Sequence, residues 1–89
     1  MKNQKSLYDI LVEDLRYREE NDLRTKKYTG YHSQNYDSYI GITLSGQVIQ
    51  DNRKRASITI SIINDAFECG YDISTYLDQF KKFCKDNKL

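Results

Sequence analysis

From Asp72 onward, Ile73, Tyr76, Leu77, Phe80, Phe83 and Cys84 recur at the spacing of one broad helix face. A stripe of this kind must be covered by other apolar faces, and that need governs how the rest of the chain is read. The pattern predicts a helix over 72–87, capped by Asp72. Lys81, Lys82, Lys85 and Lys88 favour the negative pole of its dipole.

Residues 52–69 carry a second helical pattern. Ile58, Ile60 and Ile62 alternate as a strand would, but that alternation is short. The helical reading covers more of the segment. It places Ile58, Thr59, Ile62, Ile63, Ala66 and Phe67 on one face, with Ser57, Ser61, Asn64, Asp65 and Glu68 opposite. Asp51 caps the start, and Gly70 ends the helix in a left-handed conformation with Tyr71 folding back. The tight link at Gly70-Tyr71-Asp72 makes the last two helices an antiparallel pair.

A third helix is expected over 6–27. Ser6 is placed to cap it with Asp9 reaching back, and Leu7, Tyr8, Leu11, Val12 and Leu15 share one stripe. Past Leu15 the support is acid-first pairing at i, i+4: Asp14 with Arg18, Glu20 with Arg24 and Asp22 with Lys26. That half either runs into solvent or forms an arm toward a partner.

Residues 28–38 read as a tyrosine-rich loop, because four tyrosines over 28–39 lie among Gly, Ser, Asn and Asp with no surviving period. Residues 39–50 admit two readings. Ile40, Ile42 and Leu44 alternate toward a hairpin turning at Ser45-Gly46, whereas Ile40, Leu44 and Val48 share a helix face. Gly41 and Gly46 would each cost that helix about 1 kcal/mol. The expectation is a single mainly α domain of three to four short helices around a thin core, with a possible small β-hairpin at 39–50. The alternative is α+β with a small antiparallel sheet.

Chains of 89 residues bury only roughly 60–65% of their unfolded surface, and here 38% of residues are hydrophobic against 30% charged. A core this lean gains from a partner or a second copy, so a homo-oligomer or a stable complex is expected. Fourteen basic residues against thirteen acidic leave a net charge of +1, which excludes the basic bias of a duplex-DNA binder. No apolar run reaches transmembrane length, and no apolar stretch with a cleavage site follows the charged residues 1–5. The expected location is the cytoplasm, with no membrane association and with Cys69 and Cys84 as free thiols. The heavy use of Lys, Asn, Asp, Ile and Tyr resembles the coding habit of an AT-rich bacterium or its phage.

No catalytic residues are assigned. The single histidine, His32, has no identified partner, and no phosphate-loop, dinucleotide or nucleophile-elbow pattern occurs. His32, Cys69 and Cys84 lack zinc-site spacing, so no metal or cofactor is expected. Two candidate surfaces remain. Lys26, Lys27, Tyr28, Tyr31, His32 and Tyr36 interleave cations and rings, which suits a protein interface, a lid over the core, or a nucleotide or single-stranded nucleic acid. Arg53, Lys54 and Arg55 oppose the dipole of the helix they begin and suit an anion, unless Asp51 screens them. The functional expectation is a non-enzymatic regulator or inhibitor. It would act through a protein–protein interface, be encoded by a phage or mobile element, and be directed at a host or defence protein. The alternatives are a nucleotide or single-strand binder and a structural oligomer subunit.

Overall fold

The computed structural model describes residues 5–24 and 33–89, in which the chain forms four helices. These are α1 (Leu7–Asn21), α2 (Ser33–Ser45), α3 (Asn52–Glu68) and α4 (Ser74–Asp86). No strand occurs among the described residues, so the mainly α expectation holds and the hairpin and small sheet are corrected.

Helix α3 is the hub. It packs on each of the other three, whereas among the described residues no contact joins α1 to α2. Its buried stripe is Ala56, Thr59, Ile60, Ile63, Ala66 and Phe67. Around it lie Tyr8, Val12 and Leu15 from α1, Tyr36 and Ile40 from α2, and Tyr76, Phe80, Phe83 and Cys84 from α4. The four-helix body is flat, with principal extents of 42 × 33 × 16 Å.

The ends of the helices follow local chemistry. Ser6 Oγ accepts the Asp9 amide at 3.1 Å, and Asp51 Oδ1 accepts the amides of Arg53 (2.9 Å) and Lys54 (3.2 Å). Gly70 takes φ 93°, and the amides of Gly70 and Tyr71 close onto Phe67 O and Ala66 O. The Asn52 amide group donates to Asn87 Oδ1 at 3.0 Å, tying the start of α3 to the end of α4, so the pair is antiparallel as expected. Asp72 does not take the expected cap of α4: the helix begins at Ser74, Ile73 holds the cap position with no side-chain bond, and Asp72 lies one residue before it. Its carboxylate accepts from Ser74 N and Oγ, which holds it below the ordinary carboxylate range.

Three boundaries differ from the sequence expectation. The first helix stops at Asn21 rather than 27, where Asp22 turns left-handed at φ 52° and its amide donates to Arg18 O and Glu19 O. Beyond Leu15 the apolar residues Tyr17 and Leu23 are both exposed, so no buried apolar face carries the helix further. The Asp14–Arg18 pair forms at 2.9 Å, but Arg24 leaves the helix and meets Asp22 at 2.6 Å. The Asp22–Lys26 pair involves a residue outside those described.

The tyrosine-rich loop is the second correction. Its residues 28–32 lie outside the described chain, but Ser33 onward is helical, so 33–38 belong to α2. The helix is held by Tyr36, Ile40 and Thr43, a stripe that crosses the boundary drawn between two segments and includes a polar residue. Thr43 is buried because its Oγ1 donates to Ile40 O and lies 2.6 Å from Thr59 Oγ1 on α3. Third, α2 ends at Ser45 and Gly46 adopts φ 79°, so Gly46 terminates the helix instead of weakening it.

The buried face of α3 also differs. Ile60 is buried at 8% exposure, whereas Ile58 stands 39% exposed and Ile62 is half-buried. The core takes the isoleucine that the strand-like alternation shares with Ile58 and Ile62, and leaves those two at its edge.

Candidate binding face

Arg53, Lys54 and Arg55 do not act as one cluster. Arg53 and Lys54 point to solvent, their amides held by Asp51. Arg55 turns inward. Its Nε donates to Thr43 O at 2.9 Å, one terminal nitrogen to Leu44 O and the other to Asn52 Oδ1 at 2.7 Å. The guanidinium carbon sits 4.5 Å from the centroid of the Phe83 ring. Thr43 and Leu44 lie in the last turn of α2, whose carbonyls have no partners within their own helix. Arg55 therefore serves as the C-terminal cap of α2 and ties it to α3 and α4. A guanidinium held on these four partners has little left for an incoming anion.

Of the tyrosine surface, Lys26, Lys27, Tyr28, Tyr31 and His32 lie outside the described residues. Tyr36 is part of the core, at 9% exposure. Its hydroxyl donates to Asp65 Oδ2 at 2.7 Å and lies 3.3 Å from Cys69 Sγ, and its ring meets Tyr71 edge-on at 5.2 Å. Burial first, then these two neighbours, pushes the phenol far above its ordinary value. Tyr36 thus closes one end of the α2–α3 seam. It presents no open ring for stacking.

The exposed surface that does gather apolar groups is the outer side of α2 and α3. Tyr39 (53% exposed) and Ile42 (45%) come from α2, and Ile58 comes from α3. Between the two helices runs a groove of about 320 Å³ lined by Tyr36, Tyr39, Ser57, Ile58, Ser61, Ile62 and Asp65. The helices position these residues through contacts already described. Thr43 against Thr59, Tyr36 against Asp65 and Arg55 against the end of α2 fix an antiparallel register. With that register fixed, the α3 positions opposite its core stripe, Lys54, Ser57, Ile58, Ser61 and Asp65, all face outward. The sequence carried a signal for this face. Helix α3 holds four isoleucines, at 58, 60, 62 and 63, more than one buried stripe takes up.

Among the described residues, no three His, Cys, Asp or Glu side chains converge as a metal site would require. No described helix is long and apolar enough to cross a membrane. Both cysteines are free, Cys84 buried with its thiol pushed up to about 11 by desolvation. The chain matches no family model, and no curated protein or solved structure matches it.

Proposed function

We propose that this chain is a non-enzymatic binding protein, a regulator or inhibitor that works through a protein–protein interface on the outer face of α2 and α3. The observation that carries this reading is the open α2–α3 groove lined by the exposed Tyr39 and Ile58, with Ile42 also exposed on α2. A lean chain that leaves large apolar side chains exposed together, beside a core it packs fully, has a surface suited to a partner. Small serines at 57 and 61 let another backbone approach closely, and tyrosine offers contact area at low entropic cost. Composition favours a bacterial or phage setting, with a host or defence protein as the target class.

The test compares affinity-tagged wild-type protein with Ile58→Glu in bacterial lysate. Ile58 is exposed enough that the variant should fold, which circular dichroism checks. The reading expects a stoichiometric protein retained by the wild type and lost from Ile58→Glu. A partner indifferent to the substitution places the interface elsewhere, and retention of nothing by either form removes the proposal's main support.

A further inference from the structure

The outward stripe of α3 has an order along the helix. Lys54 stands at the N-terminal end, Ser57, Ile58 and Ser61 fill the middle, and Asp65 stands at the C-terminal end, all of them exposed. Read from either end, large residues alternate with small ones and the two ends carry opposite charges. A surface with this order is complementary to its own reversed copy. When two such helices lie antiparallel, centred between Thr59 and Ile60, Lys54 falls opposite Asp65 of the second copy. Ile58 then falls opposite Ser61, and Ser57 opposite Ile62.

We infer that this face binds a second copy of the same chain through an antiparallel α3–α3 contact on a two-fold axis. The inference rests on the binding-face reading above and names the occupant. Three features support it together. Charge complementarity comes first: Lys54 and Asp65 lie roughly 16 Å apart along the helix, so both pairs sit at the rim and the apolar residues between them stay dry. Shape comes second. Ser61 lines the α2–α3 groove, so the Ile58 side chain of each copy enters the other's groove where the wall is lowest. Isologous symmetry comes third, because each contact is made twice for one set of residues.

A single helix crossing flanked by Tyr39 is smaller than a standard interface, so a dissociation constant on the order of 10 µM is expected. The rim pairs are exposed, so the dimer should weaken as salt rises.

The experiment is sedimentation equilibrium on the full chain and on charge-swapped forms. Wild type should be a dimer. Lys54→Asp alone places two carboxylates at each rim position, and Asp65→Lys alone places two ammonium groups there. Each should weaken self-association by about tenfold or more. Mixing the two variants restores opposite charges at both rim positions, so the mixture should form a heterodimer about as tight as wild type. Asp65 also accepts the Tyr36 hydroxyl, so Ser61→Arg is a companion that blocks close approach and leaves that bond intact. It too should be monomeric, with an unchanged circular dichroism spectrum. A wild type that stays monomeric to roughly 500 µM overturns the inference. A dimer indifferent to Ser61→Arg and to the charge swaps also overturns it. In either case the lysate comparison with Ile58→Glu still judges the binding face separately.

Discussion

The Arg55 guanidinium joins two main-chain carbonyls of α2, a side chain at the start of α3 and a ring of α4. Arg55→Ala would leave the Thr43 and Leu44 carbonyls without their donor and uncover Phe83. The expected cost is about 2–3 kcal/mol, read as a lower urea midpoint with an unchanged slope. Arg55→Lys should recover only part of this, because an ammonium cannot hold two carbonyls and lie flat on a ring at once. A site for anions would behave differently: phosphate or sulfate would protect the wild type strongly and the alanine variant hardly at all. This role was not legible from the sequence. Three basic residues in a helix's first turn look alike by composition. What separates Arg55 is its position facing α2, which depends on where α2 ends. Thr43 was hidden for a related reason, since a hydroxyl counts as polar until its partner is known to be another buried hydroxyl, here that of Thr59.

At the scale of elements, the sequence was most informative where apolar stripes are long and their caps local. The face of α4, the first two turns of α1, the cap at Asp51 and the stop at Gly70 all depend on residues within a few positions of one another. Helix α2 was obscured because its stripe is short, contains a threonine and is interrupted by glycine. The two glycines near its end now separate. Gly41 lies within the helix with nothing within 4 Å of an added Cβ, whereas Gly46 has φ 79° and an added Cβ would lie 3.3 Å from the Arg55 guanidinium. Gly41→Ala should therefore stabilise the protein by up to about 1 kcal/mol. Gly46→Ala should destabilise it by a comparable amount, through backbone conformation and through displacement of the arginine cap. Thermal melts of the two variants should shift in opposite directions. The candidate face was legible only in part. The surplus of isoleucine in α3 is visible in the sequence, but which of those isoleucines are left outside is decided by packing against three helices at once.

For the molecule as a whole, buried acids of weak strength set the upper pH limit. Tyr76 lies in the core, donates to Asp37 at 2.5 Å and is pushed up to about 12, chiefly by burial. Tyr36 is raised further, and Cys84 to about 11. Each folded value exceeds the unfolded one, so the folded state holds its protons more tightly. The stabilisation is complete below the unfolded thiol value near 9 and falls as pH rises through 9 to 12. Helicity should therefore be flat with pH near neutrality and collapse in that alkaline window. Absorbance at 295 nm should show two tyrosines ionising only as the fold is lost. Tyr36 links α2 to α3, and Tyr76 links α4 to α2, so their ionisation releases several helices together. Among the described residues no such bond or contact spans α1 and α2. Helices α3 and α4 each contact both of them, so a change in α1 reaches α2 through that shared pair. Drift on α1 therefore leaves α2 free to keep its own contacts, so the two can diversify at separate rates while the shared middle stays constrained.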